Sequence, residues 1–278
     1  MVNIVTDSTS DLGKDTYRGF QLTVIPLLVT IGGKDYRDGL DIDQKGLFDL
    51  VKKYGELPTT ATPSVAEFTK IFDRSGESIF IGISSKLSAT IQNAQLAAET
   101  FPAGEVTVID SLNLSTGVGL LAIRAAELRD QGLPTSEIAR RISQDRAKVR
   151  SSFAIETMEY LYKGGRCTAI QAIAGSVLKI HPIIEVRNDG TLGVKSKARG
   201  NLQKAHQMLL DDFEAHLPEL DRKRVFVTHT CDDQASVRFL VEEVRRLASP
   251  EEVCVTSAGS VISSHCGPGT AGILYFVK

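Results

Sequence analysis

IFIGISSKLSATIQNA, residues 79–94, is the stretch against which the rest of the chain is best read. Ile79, Phe80, Ile81 and Ile83 place four apolar residues in five positions, the composition of a short buried strand. Ser84-Ser85 follow as N-cap candidates, and Leu87, Ile91 and Ala94 recur at helical spacing. The stretch predicts a strand, a turn, and a helix whose first turn carries the hydroxyls of Ser84, Ser85 and Ser88. The first backbone N–H groups of a helix have no intrahelical partner, and the macrodipole adds positive potential there. A negative oxygen at that point meets several donors without a metal or a cationic side chain. The plainer alternative is that the serines only cap the helix.

Outward from this unit, the N-terminal half alternates strands with helices. Residues 2–6 read as a strand with a polar turn, Asp7 to Asp11, behind it. Residues 22–31 form an extended run that Pro26 confines to an edge or an irregular strand, and residues 32–35 read as a turn. Residues 43–54 are amphipathic, with Leu47, Leu50 and Val51 on one face. In the hydroxyl-rich loop 57–64, Thr62-Pro63 fits an N-cap followed by proline at the first helical position, opening a helix through Phe72. Thr62 thus has a structural job, whereas Thr60 has none and becomes a candidate ligand hydroxyl. Strand 106–109, helices 114–131 and from Pro134 onward, and strand 151–155 continue the alternation. This rhythm predicts a parallel sheet wrapped by helices on both faces, with ligands bound beyond the carboxyl ends of its strands. The turns at 6–11 and 84–88 lie at that edge.

From Met158 the texture changes. Residues 160–166 end a short helix in a glycine turn, and residues 168–178 are a small, aliphatic helix. Strands 180–186 and 191–197 pair as a hairpin through Asp189-Gly190. Helix 201–216, strand 224–229, helix 233–247 and strands 253–257 and 273–277 complete the chain. The expected organisation is an α/β domain over residues 1–157 and an α+β domain with a mixed sheet over 158–278.

Composition narrows the function. A chain of 278 residues with 42% apolar and 24% charged residues has the core of a globular protein, and a net charge of −2 argues against a nucleic-acid-binding surface. No window approaches eighteen uncharged apolar residues, and the N-terminus lacks a basic segment followed by an apolar one, so neither a membrane span nor a secretion signal is expected. Cys167, Cys231, Cys254 and Cys266, without a CxxC pair, read as reduced thiols of a cytoplasmic protein. There is no GxSxG nucleophile elbow and no GxxxxGK[ST] phosphate loop, and the five histidines form no HxxxH pair, so no metal site is expected. One dinucleotide-like match, Gly117-Val118-Gly119-Leu120-Leu121-Ala122, starts seven residues beyond Ile109. A Rossmann fingerprint ends its strand on the first glycine, so close helix–sheet packing explains the match better.

Several segments together resemble the DegV family, the bacterial fatty-acid-binding proteins that include the lipid-carrying subunits of fatty acid kinase. They are Ile4-Val5-Thr6-Asp7-Ser8-Thr9, Ile25-Pro26-Leu27, Thr60-Ala61-Thr62-Pro63-Ser64, Ser84-Ser85-Lys86-Leu87-Ser88-Ala89-Thr90, Lys163-Gly164-Gly165-Arg166, Lys197-Ala198-Arg199-Gly200 and His265-Cys266-Gly267-Pro268-Gly269. They keep the family's order and cover essentially the whole chain. The resemblance implies a two-lobed protein that holds one long-chain fatty acid, such as palmitate or oleate, in a tunnel between the lobes. It assigns the carboxylate to Thr60 and Ser88, with Thr62, His265 and Arg199 in the same polar neighbourhood. It also implies a separate ATP-binding kinase subunit that phosphorylates the bound acid for phospholipid synthesis, with Arg166 on the face that meets it and transient contact with a membrane surface. The protein itself would carry no catalytic residue and no cofactor. Departures from the family pattern fall at Ala61-Thr62 and at Ala89, whose methyl is expected to narrow the approach to the helix terminus.

Elementary energetics agree with a carrier. Burying about 15 methylenes at ~0.8 kcal/mol each gives a gross term of roughly 12 kcal/mol before ordering costs. The head-group site then needs only to avoid leaving a carboxylate unpaired. Helix 168–178 is a candidate tunnel wall, and a protonated His265 would add a charge-assisted bond. The competing reading is a stand-alone nucleotide-dependent enzyme using Gly117–Ala122.

Overall fold

The computed structural model describes residues 1–73, 76–168, 180–230 and 233–278. β1 (Asn3–Asp7) runs through the 3-10 turn Ser8–Ser10 into α1 (Lys14–Gly19) and β2 (Thr23–Ile25). β3 (Leu28–Ile31) and β4 (Lys34–Arg37) form a hairpin over Gly32-Gly33, both at positive φ as a two-residue turn requires. Then come α2 (Gln44–Tyr54), β5 (Thr59–Ala61), α3 (Val65–Phe72), β6 (Ser78–Gly82), α4 (Thr90–Ala98), β7 (Val106–Asp110), α5 (Thr116–Asp130) and α6 (Thr135–Asp145). The second half supplies β8 (Val149–Ala154), α7 (Glu159–Gly164), β9 (Ile180–Val186), β10 (Leu192–Arg199) and α8 (Leu202–Ala215). β11 (Leu220–His229), α9 (Gln234–Ala248), β12 (Glu252–Ser257), α10 (Ser260–Cys266) and β13 (Ala271–Val277) close it.

The strands form a parallel sheet, β2-β1-β6-β7, a mixed sheet, β10-β9-β8-β13-β11-β12, and a small antiparallel sheet, β4-β3-β5. A parallel sheet and a mixed sheet are the sheets expected of the fold class. β8 pairs with β13 and β9, so the strand assigned to the first domain (1–157) belongs to the mixed sheet, and the change of sheet precedes Val149. The run at 22–31 is likewise two strands in two sheets, broken at Pro26-Leu27, because proline cannot continue the ladder donors.

α5 ties the two large sheets together. Twelve of its fifteen residues are buried, and it packs on β1 and β6 from one side and on β8 and β13 from the other. A helix apolar on all sides belongs between layers. Gly119 lies against the Leu12 side chain and 2.8 Å, measured from an added Cβ, from the Ser10 carbonyl; at Gly117 the same atom would fall 2.8 Å from Ser151 Oγ. The glycine pair lets the helix approach its neighbours and leaves no opening for a pyrophosphate, so the nucleotide reading of Gly117–Ala122 is corrected to packing. No helix among the described residues is long and apolar enough to cross a membrane.

Candidate functional site

The stretch that opened the sequence reading folds as a strand and a helix, but the helix starts later than its hydroxyls suggested. β6 ends at Gly82, residues 84–88 form a tight turn, and α4 begins at Thr90 with Ala89 as a cap that offers no side-chain bond. The Ser84 carbonyl accepts from the backbone of Leu87 and Ser88, and the Ser84 hydroxyl donates to Gly190 O at 2.9 Å. Ser85 N donates to Asp110 Oδ1 and Ser85 is exposed, so of the three serines only Ser88 faces the cavity described below. Thr62 is corrected too. The cap of α3 is Ser64, which forms a full capping box with Glu67. Thr62, freed from capping, donates instead to Thr90 Oγ1 at 3.0 Å.

Between the parallel and mixed sheets lies a cavity of about 350 Å³, within the range of small-molecule sites. Leu27, Ile83, Leu87 and Leu114 line it from the N-terminal half, and Phe153, Leu161, Leu192 and Leu274 from the C-terminal half. Thr60, Thr62, Ser88, Arg166 and His265 gather on its wall as a polar group from four separate segments, with Ala89 beside Ser88. β5 pairs with β3 and presents Thr60, opposite Val29, to α10, whose last turn carries His265. Thr60 Oγ1 and His265 Nε2 are 2.9 Å apart.

Burial, then the Arg166 cation, pushes the His265 imidazole down to about 4, so it is neutral at pH 7. Burial thus works against the charge-assisted bond from a protonated imidazole expected from sequence. His265 Nδ1 is shut off against Gly164 without a hydrogen-bond partner among the described residues. A lone pair is cheaper to leave unmatched there than an N–H, which puts the proton on Nε2. Nε2–H then donates to Thr60, and the Thr60 hydrogen is left for a ligand. On the other side, Thr62 donates to Thr90, Thr90 Oγ1 lies 2.8 Å from Ser88 Oγ, and Ser88 Oγ also accepts from Thr90 N at 3.3 Å. Where Thr90 Oγ1 is the donor across that 2.8 Å contact, Ser88 keeps its hydrogen for a ligand. Two donors with no acceptor between them suit an anionic oxygen pair.

Arg166 is exposed, donates from Nη1 to Gly164 O at 2.5 Å, and borders both the cavity and an outer groove that also reaches Thr60 and His265. Arg199 is different. It ends the edge strand β10 opposite Ile180, exposed, seven residues or roughly 23 Å of strand beyond Leu192, which does line the cavity. Among the described residues that line the cavity, Arg199 does not occur. Helix 168–178, the expected tunnel wall, lies outside the described residues apart from Thr168. Sequence reading missed Thr90, whose hydroxyl links Thr62 to Ser88; its position two residues after Ser88 was the available signal. No group of three or more potential metal ligands occurs among the described residues.

A family model for DegV, described as an uncharacterised protein family, matches residues 1–278. A DegV domain-containing protein of Caldanaerobacter subterraneus subsp. tengcongensis is 32% identical over 284 residues, 100% of this chain and 99% of the relative. Among solved structures, a DegV family protein from Thermus thermophilus, described for its fatty acid binding, is 34% identical with a TM-score of 0.92, covering 100% of this chain and 99% of that one. The fold is shared with a fatty acid kinase B3 protein of Streptococcus pneumoniae loaded with linoleic acid, at 22% identity, a TM-score of 0.87 and full coverage, 100%, of both chains. By family match and by full-length identity alike, the chain belongs to the DegV family.

Proposed function

We propose that this protein binds a long-chain fatty acid with its tail in the inter-sheet cavity and its carboxylate on the Thr60 and Ser88 hydroxyls. The observation that carries the proposal is the pairing of a cavity lined by six leucines with Ile83, Phe153, Val261 and Ile262 and two hydroxyls on its wall, Thr60 beside His265 Nε2 and Ser88 beside Thr90 Oγ1. The apolar wall supplies most of the affinity, and the hydroxyls keep the carboxylate from being desolvated without partners. Fatty acid binding by the Thermus thermophilus relative, at 34% identity over the full chain, supports the ligand class.

The same reading makes the protein a carrier with no catalytic residue or cofactor of its own. In the cytoplasm it would present the carboxylate to an ATP-binding kinase subunit, giving an acyl phosphate for phospholipid synthesis. Support comes from the family motifs and from the exposed Arg166, which stands where a partner reaching for the carboxylate would meet it.

Extraction of the purified protein with organic solvent, followed by mass spectrometry, tests the ligand class. Stoichiometric acyl chains of C16–C18 length are expected. A clean extract, with no stabilisation by added palmitate or oleate, would refute the proposal.

A further inference from the structure

The helix that presents His265, α10, is anchored by residues far away in sequence. Its N-cap position is Gly259, which offers no side chain. Two carboxylates from the N-terminal half take over that end. Asp11 Oδ1 accepts from Gly259 N at 2.8 Å. Asp38 Oδ1 accepts from Ser260 N at 2.7 Å and from Ser260 Oγ at 2.6 Å. Both acids are buried, with 4% and 2% exposure. Each is itself held: Asp11 Oδ2 accepts from Ser115 Oγ at 2.6 Å, and Asp38 N donates to Leu27 O at 2.9 Å. Ser115 and Leu27 both line the cavity.

The carboxylate oxygens close tightly around this end of the helix. A Cβ added at Gly259 would lie 3.0 Å from Asp38 Oδ1 and 3.1 Å from both Asp11 Oδ1 and Asp38 Oδ2. From there the helix rises only about 8 Å to His265, at 1.5 Å per residue, so it moves as one short rigid piece. Its other end rests on Thr60 through the 2.9 Å Nε2 contact. A helix held by the N-terminal half at both ends cannot tilt without changing that contact.

We infer that Asp38 and Asp11 are positioning residues for the head-group site, setting the His265–Thr60 contact through the N-terminus of α10. This deepens, and rests on, the reading of Thr60 and Ser88 as the carboxylate site. Asp11 Oδ1 and Asp38 Oδ1 are committed to N–H groups at the start of α10 and to the Ser260 hydroxyl, so the role is placement and not ligand binding.

The test compares palmitate with hexadecanol, which has the same tail and no carboxylate, in the full-length protein and in Asp38→Ala, Asp38→Asn and Gly259→Ala. Asp38→Ala and Gly259→Ala should weaken palmitate binding about tenfold and leave hexadecanol within about twofold. Asp38→Asn, which keeps the Oδ1 acceptor, should recover palmitate binding to within about threefold of the unmutated protein. Gly259→Ala keeps every carboxylate and moves the helix by tenths of an ångström, so it carries the test if Asp38→Ala does not fold. Equal losses for both lipids, or no loss for either, would overturn the inference. Failure of the unmutated protein to prefer palmitate over hexadecanol would instead overturn the head-group reading, and the inference with it.

Discussion

Removing the Thr60 hydroxyl tests the head-group arrangement most directly. In Thr60→Ala the carboxylate loses one charge-assisted donor, and His265 Nε2–H loses its acceptor at 2.9 Å. A hydrogen bond to a charged group is worth about 1.5–3 kcal/mol, which at about 1.4 kcal/mol per decade corresponds to a 10- to 150-fold rise in Kd for palmitate. Ser88→Ala removes the second donor and leaves Thr90 without the acceptor 2.8 Å away, so a loss in the same range is expected. The apolar cavity is untouched in both, and binding should stay measurable by isothermal titration calorimetry at pH 7.5. Thr60→Ser keeps the hydroxyl and should lie within about threefold of the unmutated protein. If both alanine variants bind palmitate within about twofold of the unmutated protein, the carboxylate is not held by these hydroxyls and the assignment fails.

Stability should respond to pH through two buried groups of opposite sign. Burial outweighs the Thr9 and Ile83 hydrogen bonds and raises Asp7 from 3.8 to about 6, so its contribution is full below pH 4 and lost as pH rises through 6. Relative to Asp7→Asn, the unmutated protein should therefore gain about 2 kcal/mol between pH 7 and pH 4, read by urea unfolding; no change in that difference would contradict the buried acid. His265 is pushed down from 6.5 to about 4, so its contribution is present above 6.5 and lost as pH falls through 4, and His265→Gln should flatten that acid-side loss. Gly119→Ala should cost about 1–3 kcal/mol by overpacking against Leu12 and the Ser10 carbonyl, while ATP or NAD shifts the melting temperature of neither protein; a shift by either nucleotide would revive a site at Gly117–Ala122. Arg166→Ala should keep palmitate affinity within about twofold and lower phosphoryl transfer by a kinase subunit, and equal loss of both would argue against an interface role.

Much of this protein was legible in local sequence. The strand begun at Ile79, the hairpin turn at Asp189-Gly190 and the helices that start near residues 43, 201 and 233 depend on neighbours a few residues away, and each formed close to where local chemistry placed it. Thr60 and Ser88 could be chosen from sequence, the first because no capping job claimed it. Tertiary structure decided the rest. A loop that reads as irregular, 57–64, became the strand Thr59–Ala61 only because β3 offered it a free edge. Ser260–Cys266 formed a helix whose N-terminal donors are matched by carboxylates 222 and 248 residues away, a pairing no local window contains. Thr90 met the Thr62 hydroxyl, 28 residues away, only after folding. Hydrophobic period and capping act over one or two turns of chain, so sequence by itself determines elements. Which hydroxyl keeps a hydrogen for a ligand depends on donors brought together from both halves of the chain, and only the folded structure decides that.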